Sequence, residues 1–205
     1  MKKTITTLRD RMPIRPLTLT EALRMAELQA IQLLELSEIT APPVPERIIT
    51  ELPRVQVERI KLAGLSGAAQ WSHGRWLIIL NGAEPASRQR FSLFHEFKHV
   101  LDNPFIHVLY PPTDHTTSKE RAEQVCDFFA GCALIPRTWL KREWASGHQD
   151  VRQLADRFAV SQAAMRVRLL QTGLTAEAQR CDTGPRSGPY QRASDSPTHV
   201  LGAAA

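Results

Sequence analysis

Nowhere in its 205 residues does this chain run to the roughly 18 consecutive apolar positions that a membrane-spanning helix needs, so no membrane span is expected. Lys2 and Lys3 open the sequence, but no apolar segment follows them, and a secretory signal peptide is not expected. No CxxC pair occurs, which argues against a thiol zinc site. The three cysteines, Cys126, Cys132 and Cys181, are an odd number and do not suit a disulfide framework. They read as reduced thiols in a cytoplasmic protein. Acidic residues are outnumbered, leaving a net charge of +5. Much of the excess is local, since residues 1–16 hold Lys2, Lys3, Arg9, Arg11 and Arg15 against Asp10 alone. Residues 1–17, broken by Pro13 and Pro16, read as an irregular basic arm. Such an arm can contact nucleic acid or an acidic partner, but the simpler reading is a solvated, flexible terminus.

What is present is the run His95-Glu96-Phe97-Lys98-His99, the HExxH pattern. Residues four apart share a helix face, so both imidazoles can reach one metal ion. The glutamate between them can reach a water on that metal. Phe91, Leu93, Phe94, Phe97, Val100 and Leu101 surround the motif at helical spacing, as a buried helix requires. The competing reading is two histidines on a helix face with no metal.

A catalytic zinc takes three protein ligands and keeps one position open. Downstream candidates for the third are Asp102, His107, Asp114, His115, Glu120, Glu123 and Asp127. Asp102 lies one turn after His99 but close to Pro104, where the helix must end. His107, Asp114 and His115 fall in a segment with weak periodicity. The next strong helix starts near Ser118, a suitable N-cap, and carries Val125, Phe128, Phe129 and Cys132 as an apolar stripe. Glu123 and Asp127 share a face of it. Glu123 fits the third ligand, and Asp127 fits an acceptor for the outer N–H of a zinc-bound histidine. The alternative is two solvated acids beside Arg121.

These residues together resemble the ImmA/IrrE family of metallo-endopeptidases. Arg88-Gln89-Arg90-Phe91-Ser92-Leu93-Phe94-His95-Glu96-Phe97-Lys98-His99 matches the family's R-x-R-F-[ST]-x-x-H-E-x-x-H run. Glu123 through Pro136 aligns with a second block, E-x-x-A-N-x-F-A-x-x-L-L-x-P, and Leu154 through Leu169 with a third. The resemblance covers about residues 25–174. It departs at Lys98, where the family has glycine, and at Cys126 and Asp127, where it has alanine and asparagine. Lys98 suggests less crowding on that helix face or a charge at the cleft rim. The resemblance implies one zinc ion per chain, Glu96 as general base, and limited cleavage of a protein substrate. It implies that this substrate is a helix-turn-helix repressor encoded nearby, in a mobile element or a stress response.

The remaining pattern fits an α+β class. A helix is expected from about Thr20 to Ile39, with Thr20 as cap and Ala22, Leu23, Ala26, Ile31, Leu34 and Leu36 as its apolar side. A short helix should follow, ending near Leu52. Residues 54–60 alternate as a strand, and residues 68–72 and 75–81 flank His73-Gly74 as a hairpin. This implies a zincin-like domain over residues 18–174, with a small antiparallel sheet beside the HExxH helix and a second ligand helix. Residues 75–81 are the candidate edge for strand-wise substrate pairing. His73 could line the cleft and stabilise an oxyanion, or sit in solvent at the turn. Residues 150–172 read as a helix-turn-helix-like pair, capped by Asp150 and Ser161. Arg166 and Arg168 could contact DNA or a partner, against a structural role packed on the core. Residues 175–205 have no apolar period and read as disordered. Two rival functions remain open: an anti-repressor or antitoxin-type partner acting by sequestration, and a DNA-binding regulator with a structural zinc.

Overall fold

The computed structural model describes residues 4–103 and 105–175. The expected disorder over 175–205 therefore lies almost wholly outside the described residues. The first long helix is α2 (Leu19–Leu36), preceded by the short α1 (Thr4–Arg9). Thr18, rather than Thr20, caps α2: its hydroxyl accepts from the Glu21 amide, and Glu21 reaches back to the Thr18 amide. This reciprocal capping box satisfies two backbone donors at once. The buried side of α2 is Ala22, Ala26, Gln29, Ala30, Leu33 and Leu34, while Ile31 and Leu36 stay exposed.

Residues 4–17 are not a free basic arm. Leu8 is fully buried, and its carbonyl accepts from the buried Gln29 Nε2 at 2.8 Å. Arg9 donates to the carbonyls of Val100 and Leu101 at 2.7 and 3.2 Å. Met12 and Leu17 are buried as well. One cation of the expected patch therefore caps orphan carbonyls at a helix C-terminus, where positive charge is favoured.

After α3 (Arg47–Thr50) come β1 (Val55–Ile60), β2 (Gly67–Ser72) and β3 (Arg75–Asn81). The α+β class is as expected, but the sheet is mixed. Its order is β1-β3-β2, with β3 parallel to β1 and antiparallel to β2. Alternation identifies strands without giving their direction, and the chain passes β3's position before filling it. Residues 75–81 are thus the central strand, and β2 is the edge on the side of the active helix. His73 and Gly74, both at positive φ, make the tight β2–β3 turn.

The helix α4 (Ala86–Asp102) carries the HExxH run and packs on β2, β3 and α6 (Ser118–Leu134). Between them lies the one-turn α5 (Ile106–Leu109). The cap of α6 is Thr117, which forms a capping box with Glu120. That use of Glu120 removes it from the candidate ligands. Arg121 is buried and donates to the carbonyls of Pro111 and Leu17, so it does not neighbour the two acids as a surface partner. Three more helices follow among the described residues: α7 (Arg137–Ala145), α8 (Val151–Phe158) and α9 (Gln162–Gln171). Asp150 and Ser161 cap α8 and α9, as their positions suggested. Phe158, Met165 and Leu169 anchor the pair in the core.

Candidate metal centre

α4 and α6 cross so that three donors converge. His95 Nε2 lies 3.1 Å from His99 Nε2 and 3.1 Å from Glu123 Oε2. His99 Nε2 lies 3.5 Å from Glu123 Oε1. Both imidazoles are partly exposed, at 14% and 21%, so the centre opens to solvent on one side. Below them Cys126 is fully buried, and the ligand atoms of His95, His99 and Cys126 all lie within 4.8 Å of one another. This cluster can hold a metal ion. With no CxxC partner, this thiol is not marked as a zinc ligand by any motif. It enters here because Glu123, Cys126 and Asp127 lie three and four residues apart and so face α4 together.

Asp127 Oδ1 accepts from His95 Nδ1–H at 2.8 Å. That bond fixes the tautomer and turns the lone pair of Nε2 inward. Burial works against a charge on His95, but the hydrogen bonds to Asp127 and Glu123 outweigh it and raise its pKa to about 9. Hydrogen bonds from His95 and His99 in turn hold Glu123 well below the usual carboxylate range. At pH 7 the metal-free centre therefore carries a protonated His95 beside an ionised Glu123. A metal ion takes the lone pair that this proton occupies. Zinc titrated into the metal-free protein at pH 7 is expected to release at least one proton per ion. Apparent affinity should rise with pH until His95 has lost its proton near pH 9. Calorimetry in buffers of different ionisation enthalpy reads that count, and a count of zero would contradict the assignment of His95.

Glu96 is buried at 8% exposure, within electrostatic reach of His99, His95 and Glu123. Burial raises its carboxyl pKa, partly offset by the nearby His99 and His95. It lies against the first residue of β2: a Cβ on Gly67 would sit 3.1 Å from Glu96 Cγ and Oε1 and 3.2 Å from the Ile79 carbonyl. Gly67 is a site residue that sequence reasoning missed, because its demand is a close approach from a distant helix. Gly67→Ala is expected to shift the Glu96 carboxylate by a few tenths of an ångström and to lower turnover roughly tenfold. A side-by-side kcat measurement with unchanged metal content checks this.

Other expected residues fall elsewhere. His73 is exposed at the hairpin tip, its Nδ1 bonded to Ser72 Oγ at 2.8 Å. It is six positions along an extended strand from Gly67, about 20 Å at the usual rise, so it does not face Glu96. Asp102 is not among the converging donors: it is 1% exposed, and its two carboxylate oxygens accept from Lys98 and Tyr110. Lys98 is likewise buried, not a charge at the cleft rim. Arg168 is 1% exposed, donates to the Ile135 carbonyl and pairs with Glu27, so it is a core anchor and no surface contact. Arg166 stays exposed and donates to Gln162. Arg90, part of the R-x-R run, ties α4 to the carbonyls of Ala159 and Val44. A cleft of about 550 Å³ opens beside Asp127, with Leu23, Phe91, Phe128 and Val167 in its walls.

Helix-borne histidines, a facing carboxylate and a flanking buried glutamate beside a small sheet define a metallopeptidase-type α+β domain. Residues 53–170 match the family described as the IrrE N-terminal-like domain of the M78 peptidases. The chain belongs to that ImmA/IrrE family of metallopeptidases. Among solved structures it is similar to a Mycobacterium tuberculosis transcriptional regulator, at a TM-score of 0.59 and 15% identity. That match takes in 86% of this chain and 53% of the other, so the chain spans about half the length of that regulator. The likeness concerns the fold. No curated protein matches the sequence. Among the described residues, no helix is long and apolar enough to cross a membrane.

Proposed function

We propose that this protein is a zinc-dependent endopeptidase that makes a limited cut in a protein substrate. One observation carries the reading: two Nε2 atoms and a carboxylate converge at 3.1–3.5 Å, with Glu96 beside them on the same helix. A tetrahedral ion bound at about 2.0–2.1 Å sets its donors about 3.3 Å apart, so the His95, His99 and Glu123 donors fit zinc. Zinc, when bound, lowers the pKa of a coordinated water towards about 7 and polarises a carbonyl. The chain's residues do the rest. Asp127 holds His95 in the ligating tautomer. Glu96, its basicity raised by burial, accepts the proton of the attacking water and delivers it to the leaving amine. The open edge of β2 runs past Glu96 and offers backbone groups to an extended peptide. The cleft beside Asp127 adds an apolar wall for its side chains.

The substrate class rests on family resemblance: a helix-turn-helix repressor encoded nearby, cut at an exposed or locally unfolded segment. Free, buried Cys126 and Cys132 support a cytoplasmic setting. Direct DNA contact is disfavoured, since α9 turns Arg168 inward and leaves Arg166 as its exposed cation. The test is a search for new protein N-termini in cells expressing wild type or Glu96→Gln. A neo-N-terminus seen only with wild type establishes cleavage and names the substrate. Identical profiles from folded, metal-loaded proteins under inducing stress would shift the assignment to sequestration.

A further inference from the structure

Cys126 is the one departure from the family pattern that brings a new donor to the metal centre. It sits on α6, three residues after Glu123 and one before Asp127, on the face turned to α4. Its side chain is fully buried, and its Sγ lies within 4.8 Å of a ring nitrogen of each of His95 and His99. A tetrahedral zinc sets a nitrogen donor at about 2.0–2.1 Å and a sulfur donor at about 2.3 Å roughly 3.6 Å apart. Sulfur therefore needs to approach by at most about 1 Å. Cys132, the other described cysteine, is also buried but forms no such cluster among the described residues.

We propose that Cys126 is a fourth protein donor to the metal held by His95, His99 and Glu123, closing the resting site. This rests on the metallopeptidase reading above. Four protein donors leave no open position, so cleavage requires the sulfur to give way to water. The exchange balances without an oxidant. The thiol proton goes to solvent, the sulfur–metal bond forms, and one water leaves the ion. A thiolate also biases the site towards soft, thiophilic ions and against those preferring oxygen.

Cobalt(II) is the probe, because a thiolate ligand adds a sulfur-to-cobalt charge-transfer band in the near ultraviolet that nitrogen and oxygen donors do not. The full-length wild type loaded with cobalt is expected to show the band. It should be lost entirely in Cys126→Ala and Cys126→Ser, and retained in the double variant Cys132→Ser/Cys181→Ser. X-ray absorption of the zinc-loaded wild type, which needs no variant to fold, should count one sulfur at about 2.3 Å. Cobalt retained without the band, zinc without a sulfur neighbour, or a band that survives Cys126→Ala overturns the proposal and leaves the peptidase reading intact. A wild type that retains no metal after dialysis overturns both.

Discussion

Replacing Glu96 by glutamine is expected to lower kcat/KM about 10²–10⁴-fold, the usual contribution of a positioned general base, with metal content unchanged. Glutamine matches glutamate in size, so it fits beside Gly67, where the missing Cβ leaves room for the side chain. What it removes is the ability to take a proton. Glu96 makes no ion pair with the three donors, which instead bond one another. Metal retention and loss of cleavage should therefore separate cleanly. Elemental analysis alongside kinetics on a substrate peptide reads both. Equal loss of metal would mean that Glu96 helps hold the ion. Unchanged cleavage would remove it from the proton path.

The largest effect on stability is expected beneath the metal centre. Lys98 Nζ lies 2.5 Å from Asp102 Oδ1, and the Tyr110 hydroxyl donates to Asp102 Oδ2 at 2.6 Å. All three side chains are essentially inaccessible. Burial and the neighbouring Asp102 push the Tyr110 hydroxyl far above its ordinary pKa, so it stays a neutral donor. Lys98→Ala would strip the cation and leave Asp102 charged in the core. Breaking such a pair costs about 3–5 kcal/mol, a Tm drop of roughly 6–20 °C for a domain of this size. The double variant Lys98→Met/Asp102→Leu should recover most of that loss, because apolar replacements leave no orphaned charge. Thermal unfolding of both metal-free proteins is the measurement. A single variant as stable as wild type would show that water reaches the pair.

These two results depend on different kinds of information. The role proposed for Glu96 is suggested by five letters, because a helix places residues four apart on one face wherever it lies. The same spacing put Glu123 and Asp127 on one face, while residue type marked the caps at Asp150 and Ser161 and alternation around a glycine marked the hairpin at His73-Gly74. Lys98 was not legible. It shares its helix with His95 and His99, and only the packing of Tyr110 decides that its charge is buried instead of facing the cleft. Arg168 failed the same way, since an arginine on a predicted surface helix looks free until Glu27 and the Ile135 carbonyl arrive from distant segments. The N-terminal residues read as a loose basic arm because a helix of six residues is too short to display a period. Its order comes from Leu8 and Arg9 docking on α2 and α4.

By itself, then, the sequence determined the α+β class, the motif helix, the facing acidic helix and the caps of α8 and α9, because each follows from chemistry local to a few turns of chain. The tertiary structure decided the parallel pairing of β1 with β3, the placement of Gly67 against Glu96, the burial of Lys98 and Arg168, and the position of the Cys126 thiol under the two histidines. Each of those depends on which element approaches across space. Side-chain period records how a segment faces its surroundings and leaves open what it faces.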